Sequence, residues 1–136
     1  MTSRSLGLVV VTYQSTDVLK AFLDSLKNSS VIPDSVVVVD NSPTAQTLPT
    51  TPWLKKIELI HRPDNPGYGT AANQGIKALG QKSDWVVVCN PDIVVQPDTL
   101  EKLLQKSSDL PKADLLAHPF GMKTGRSTPP LEKSPP

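Results

Sequence analysis

Apolar residues in this chain come in two rhythms that alternate: short unbroken runs rich in β-branched side chains, and longer stretches with helical spacing. Residues 6–12 are near-continuously apolar, which predicts a strand buried on both faces. After Ser15 and Thr16, either of which can cap a helix, Val18, Leu19, Phe22, Leu23 and Leu26 share one face and predict a helix over about 17–27. A second buried strand is expected over 35–39, ending at Asp40. A proline-rich loop then spans 42–52, and 57–60 makes a short third strand. Ala72, Ile76 and Leu79 stand at i, i+4 and i+7 and predict a helix stopped by Gly80. Residues 85–89 read as a fourth strand, and Pro97 suits the first position of a helix whose apolar face is Leu100, Leu103 and Leu104. A fifth strand is expected over 114–117.

This alternation predicts an α/β fold with a mainly parallel sheet built from crossover connections. Ligands of such sheets bind beyond the carboxyl ends of the strands. Tyr13, Asp40, the turn over 62–69 and Asn90 to Asp92 all follow expected strand ends, so the fold would gather them along one edge. From about residue 123 the pattern dissolves into Thr, Gly, Ser, Lys and Pro. Four of the 14 prolines fall in the last eight residues, so the expected division is one domain over 1–120 and a disordered tail over 121–136.

Composition narrows the function classes. Aromatics make up 4% while Val, Leu and Ile dominate, which suits buried parallel strands better than a sandwich. Lys and Arg number 14 against 13 Asp and Glu, and a net charge of +1 leaves no electrostatic footprint for nucleic acid, which is not expected as a partner. No stretch approaches the roughly 20 apolar residues of a membrane span. The first apolar run is short and lacks a small-residue cleavage site, so it reads as a strand and not as a signal peptide. The expected location is cytoplasmic, compatible with peripheral attachment at a membrane. Cys89 is the single cysteine, which excludes an intrachain disulfide or a cysteine-based zinc cluster and leaves a buried small hydrophobe as its plain role. His61 and His118 have no spacing that suggests a metal site or a nucleophile pair. Trp53 with Leu54 could form an exposed patch through which a homo-oligomer assembles.

The residues that carry chemistry are concentrated in the run from Arg62 to Gly75 and in Asn90-Pro91-Asp92. Three of the seven glycines, Gly67, Gly69 and Gly75, lie in the first of these, where small residues allow close approach of backbone to a ligand or a neighbouring strand. Each candidate has a plainer alternative. Asp40 could cap a turn with Asn41 and Ser42, and Tyr13 could be an ordinary strand-end aromatic. Ala71, Ala72 and Gly75 could serve helix–sheet packing, Asn73 could face solvent, and Asn90 and Asp92 could make only local turn hydrogen bonds. Asp98 and Glu101 fall in an expected first helical turn, where a carboxylate complements the helix dipole.

Val11-Thr12-Tyr13, Val38-Val39-Asp40-Asn41, Asn65 to Ile76 and Asn90-Pro91-Asp92 resemble, in order and spacing, the successive blocks of family 2 glycosyltransferases of the GT-A fold, most closely the rhamnosyltransferase-like members. The resemblance covers residues 6 to about 117. It implies a Rossmann-like three-layer αβα sandwich, the nucleotide-sugar-binding half of that fold. It also implies sugar transfer from a nucleotide-diphosphate donor, a dTDP- or UDP-sugar, to a saccharide or lipid-linked acceptor, metal-assisted and inverting. Carried over by position, Thr12 and Tyr13 match the wall against the base, and Asp40 the acid that hydrogen-bonds the base or ribose. Asn65, Gly67 and Asn73 belong to the glycine-rich turn and helix that would take the diphosphate. Asn90-Pro91-Asp92 replaces the family's Asp-x-Asp motif, with Asp92 the carboxylate for Mg²⁺ or Mn²⁺ and Asn90 its neutral neighbour.

Three departures accompany the match. Gln14 stands where the family usually has Asn, no acidic residue follows Asp40 within a few positions, and the acceptor half with its general base is expected to be missing. The alternative reading is a truncated, non-catalytic module that binds a nucleotide sugar or a partner. Gly67-x-Gly69-x-x-Ala72 also fits the loose dinucleotide-binding fingerprint, but six residues including two prolines separate Ile60 from Gly67, whereas that fingerprint follows its strand directly. Tyr13-Gln14-Ser15-Thr16 lacks the glycine-rich loop a nucleotidyltransferase needs after the first strand, and no Gly-x-x-x-x-Gly-Lys-[Ser/Thr] phosphate loop is present.

Overall fold

The structure, a computed structural model, describes residues 5–79, 83–92, 94–107, 116–117 and 123–126. In chain order the elements are β1 (Leu6–Thr12), α1 (Thr16–Leu26), β2 (Ser35–Asp40), β3 (Ile57–His61), α2 (Tyr68–Leu79), β4 (Trp85–Cys89), α3 (Thr99–Ser107), β5 (Leu116–Ala117) and β6 (Lys123–Arg126). They form one sheet in the order β3-β2-β1-β4-β6-β5. The first four strands of that order are parallel, and β6 pairs antiparallel with both β4 and β5.

The unbroken apolar runs are explained by two covered faces. Every residue of β1 is buried, and alternate side chains point to opposite sides of the sheet. Leu6, Leu8 and Val10, with Val36, Val38, Trp85, Val87 and Cys89, pack under Leu19, Phe22, Leu23 and Leu26 of α1 and Leu100 and Leu103 of α3. Val9, Val11, Val37, Val39, Val86 and Val88 face the other way, onto Ala71, Ala72, Ile76 and Leu79 of α2. The expected αβα layering is therefore present, around a mainly parallel sheet.

Differences from the sequence reading have physical causes. Residues 123–126 were expected in a disordered tail, yet β6 takes the free edge of β4, with Trp85 opposite Arg126 and Val88 opposite Lys123. Of the fifth strand, Leu116–Ala117 is described; it pairs antiparallel with β6 and so runs in the same direction as β4, from which β6 separates it. Pro97 lies two residues ahead of α3, because a turn from Gln96 to Thr99 precedes the helix. Trp53 and Leu54 do not form an exposed patch. The β2–β3 connection carries no helix, so its loop covers the α1 side itself: Leu54 is buried, Trp53 is half-buried, and Trp53 Nε1 donates to the Leu23 carbonyl at 3.2 Å. Among the described residues no helix is long and apolar enough to cross a membrane. Gly80 and His118 lie outside the described residues.

Candidate functional site

The strand order places its switch between β1 and β4, because β2 and β3 extend the sheet one way and β4 the other. Register then fixes what stands at the carboxyl edge. Thr12 lies beside Asp40, and Asp40 beside His61, so three strands end level. At a strand spacing of about 4.8 Å, the three Cα atoms span roughly 10 Å. On the other side Val10 pairs with Cys89, and the chain leaves β4 through Asn90, Pro91 and Asp92. Asn90 and Asp92 are both exposed.

Asp40 is wholly buried, and its carboxylate is already engaged: Oδ1 accepts from the Ser42 amide at 3.0 Å and Oδ2 from the Gln46 amide at 2.8 Å. It acts as a clamp for the loop that follows β2. The same loop is tied from three other directions. Gln14 N–H donates to Ser42 Oγ at 2.7 Å, and His61 Nε2 lies 2.8 Å from the Ser42 carbonyl. The Gln46 carboxamide, with its oxygen turned toward α1, accepts from Ser15 N, Thr16 N and Thr16 Oγ1 at 2.7, 3.1 and 2.9 Å. Gln46 thus caps α1 from a distance, whereas the Ser15 hydroxyl, expected to do so, turns back to the Tyr13 carbonyl at 2.6 Å. Gln14 holds a left-handed φ of 47°, a conformation asparagine adopts more readily than glutamine.

Two buried polar atoms of this edge, Thr12 Oγ1 and Asn41 Oδ1, make no hydrogen bond, although their residues are only 2% and 4% exposed. Buried polar groups are nearly always paired, so such atoms mark a place where a polar partner would be gained. Tyr13, immediately after, is 49% exposed.

The turn from β3 into α2 has its own framework. Arg62 grips Asp64 with two parallel bonds, Nε to Oδ1 at 3.0 Å and Nη2 to Oδ2 at 2.8 Å, and its Nη1 donates to Gln74 Oε1 of α2. These hydrogen bonds hold the Asp64 carboxyl below the usual carboxylate range and raise the Arg62 guanidinium. Inside the turn Asn65 has φ 46° and Gly67 φ 101°. A Cβ on Gly67 would meet nothing within 4 Å, so backbone conformation alone requires glycine there. Gly67→Ala is accordingly expected to cost about 1 kcal/mol in urea unfolding with an unchanged m-value. Gly75 is different, since a Cβ there would lie 2.5 Å from Val9 Cγ1; packing accounts for this glycine. Asn73 is half-buried within α2.

Cys89 is fully buried and burial pushes its thiol well up, in keeping with the plain hydrophobic role. Asp98 is drawn below the usual carboxylate range by its bond to Lys102, and Glu101 accepts from the Ser30 hydroxyl at 2.6 Å, tying α3 to the end of α1. Among the described residues no group of three or more His, Cys, Asp or Glu is close enough to cage a metal ion. Asp92 with Asn90 nevertheless suits a Mg²⁺ or Mn²⁺ ion that takes most of its ligands from phosphate and water. Sequence reasoning missed the Arg62–Asp64–Gln74 frame and the Gln46 cap. The first had a signal in charges flanking Pro63; the second, a contact between distant segments, had none.

The four sequence blocks thus end along one edge of one sheet, and over residues 8–133 the chain matches Glycosyl transferase family 2; it belongs to that family. It is 35% identical over 121 residues to the N-acetylglucosaminyl-diphospho-decaprenol L-rhamnosyltransferase of Mycobacterium tuberculosis, across 82% of this chain and 39% of the relative. The chain therefore spans well under half the length of that curated relative. Among solved structures it is similar to the mannosyltransferase from Pyrobaculum calidifontis in complex with GDP-Man and Mn²⁺, with a TM-score of 0.70 and 17% identity over 92% of this chain and 45% of that one. It is also similar to S. aureus TarS 1-349 in complex with UDP-GlcNAc, with a TM-score of 0.63 and 20% identity over 83% of this chain and 33% of that one. At such identities the two structures speak for the fold, which is that of GT-A glycosyltransferases.

Proposed function

We propose that this chain forms the donor-binding part of a glycosyltransferase that moves a sugar from a nucleotide-diphosphate donor to a saccharide or lipid-linked acceptor, with metal assistance and inversion. The observation that carries the reading is the level ending of β1, β2 and β3 at Thr12, Asp40 and His61 beside the Asn90 to Asp92 turn after β4. The base and ribose would lie against Tyr13 and the loop that Asp40 clamps, offering partners to Thr12 Oγ1 and Asn41 Oδ1. The diphosphate would lie toward the glycine-rich turn, where the first amides of α2 point outward. Asp92, with Asn90 beside it, would hold the Mg²⁺ or Mn²⁺ ion that offsets charge growing on the departing nucleoside diphosphate. The M. tuberculosis relative's name supports a rhamnosyl donor and a lipid diphosphate acceptor.

Inversion requires a carboxylate to take the acceptor's proton as its hydroxyl attacks in line with the leaving group. No residue here is assigned that role. Asp98 is bound to Lys102 and Glu101 to Ser30, which favours, as a second reading, a module that binds the donor without turnover.

A thermal-shift titration with UDP, dTDP and GDP, each with and without Mn²⁺, tests the proposal. One nucleotide is expected to raise Tm in a metal-dependent way, and Asp92→Ala is expected to abolish the metal-dependent part. No shift with any nucleotide would sink both readings, while sugar transfer by the chain alone would remove the second.

A further inference from the structure

Ser15 takes the N-cap position of α1, yet its side chain makes no cap bond, and Gln14 before it holds the left-handed φ of 47°. A glutamine in that conformation is unfavoured on its own and persists where its surroundings hold it. The groups that hold it lie in the loop after β2. Three consecutive amides donate to that loop: Gln14 N–H to Ser42 Oγ at 2.7 Å, and Ser15 N–H and Thr16 N–H to the Gln46 side-chain oxygen at 2.7 and 3.1 Å. The Thr16 hydroxyl donates to the same oxygen at 2.9 Å. Gln46 is itself fixed, because its own amide donates to Asp40 Oδ2 at 2.8 Å, while Asp40 Oδ1 accepts from the Ser42 amide. The Gln46 carboxamide therefore joins two segments that leave neighbouring strands, with buried Asp40 at the root of the joint. Tyr13 stands between Thr12 and the bonded turn, and its carbonyl accepts from the Ser15 hydroxyl at 2.6 Å.

We propose that Gln46 is a positioning residue for the nucleotide: its side-chain oxygen sets the backbone of the turn that carries Tyr13, so that the surface receiving the base and ribose is formed before the ligand arrives. The inference rests on the donor site proposed above and adds what holds its base end in shape. A cap made within the first turn of α1 would leave residues 13–16 free to shift against the loop after β2. Capped from Gln46, the two segments move as one unit, and a ligand that meets both has less ordering to impose when it binds. In the sheet β1 separates β2 from β4, so the joint lies on the base side and away from the Asn90 to Asp92 turn.

The test is calorimetric titration of the 136-residue chain with UDP, dTDP and GDP in the presence of Mn²⁺, pursued with the nucleotide that binds the wild type most tightly. Gln46→Met keeps the length of the side chain and removes its oxygen, and is expected to weaken that nucleotide about tenfold. Gln46→Glu keeps an acceptor for all three donors and adds negative charge at a helix N-terminus, so it is expected to bind within about twofold of the wild type. At saturating nucleotide, the Mn²⁺ concentration for half-maximal effect is expected to stay within about twofold in both variants, because the change does not reach Asp92. Melting curves set a temperature at which each protein is folded. If Gln46→Met does not fold, Thr16→Val, which deletes one of the three donors, takes its place with an expected weakening of about threefold. Binding by the oxygen-deleting variant within about twofold of the wild type would make Gln46 a helix cap only. Equal weakening by Gln46→Glu would show that the acceptor is not what matters, and a matching loss of Mn²⁺ affinity would show that the effect is not confined to the base end. Each of these results overturns the proposal and leaves the donor site standing, whereas failure of the wild type to bind any of the three nucleotides refutes the donor site and this assignment with it.

Discussion

Asp40→Ala is expected to destabilise the protein by about 3–5 kcal/mol, the sum of two buried amides left without acceptors and a weakened helix cap. The carboxylate is fully buried and accepts from Ser42 N–H and Gln46 N–H, so alanine removes both acceptors. The consequence spreads, because the residues it clamps are themselves holding others. Ser42 Oγ accepts from Gln14 and its carbonyl lies against His61, while Gln46 caps α1 through Ser15 and Thr16. For a chain of this size the change corresponds to a Tm lower by roughly 10 °C or more. Asp40→Asn keeps one acceptor and turns an amide donor toward the other N–H, so it is expected to retain part of the loss. Urea unfolding of the three proteins measures this directly, and a loss below about 1 kcal/mol for Asp40→Ala would show that the loop is held elsewhere.

The same pair of variants separates two roles for Asp40 in binding. If the carboxylate reads the nucleobase, Asp40→Asn alters the preference among UDP, dTDP and GDP. If it acts through the loop, all three weaken together. The hydrogen bonds of Asp40 favour the second outcome, because both oxygens already serve backbone amides.

What the sequence discloses of the fold is what short-range pattern encodes. The run through β1 announces a strand covered on both sides, and the spacing of Leu19, Phe22, Leu23 and Leu26 announces the face of α1; both are found as expected. Lys123–Arg126 escapes because Lys-Thr-Gly-Arg has no apolar period, and its strand character comes from the open edge of β4. Trp53 and Leu54 are misread for a related reason: only the topology reveals that the loop after β2 must cover the α1 side in place of a helix.

The site follows the same division. That Tyr13, Asp40, the Gly67 turn and Asp92 share an edge was legible, because it needs only strand direction. How Asp40 is used was not, because its partners lie in a loop whose path depends on Gln14, His61 and α1 together. Tyr68 falls in the expected turn over 62–69, whereas in the structure it opens α2 and remains exposed.

Gly75→Ala separates helix propensity from packing, because the two predict opposite signs. In an exposed helix interior the change would stabilise by up to about 1 kcal/mol. Here the new Cβ would lie 2.5 and 3.1 Å from the two Val9 methyls and 3.3 Å from Val39 Cγ2, all on strands buried at the centre of the sheet. Neither valine can move away, since both are enclosed in the core beneath α2. The helix must lift instead, and Gly75→Ala is expected to cost about 2 kcal/mol net, Gly75→Val 3 kcal/mol or more. Val9→Ala removes the nearest methyls, so combining it with Gly75→Ala is expected to be less damaging than the sum of the two changes by about 1 kcal/mol. Unfolding free energies of the four proteins close the cycle. Additive losses would mean that α2 already stands clear of β1, and a stabilised Gly75→Ala would return this glycine to the group of residues whose purpose must be sought in a ligand.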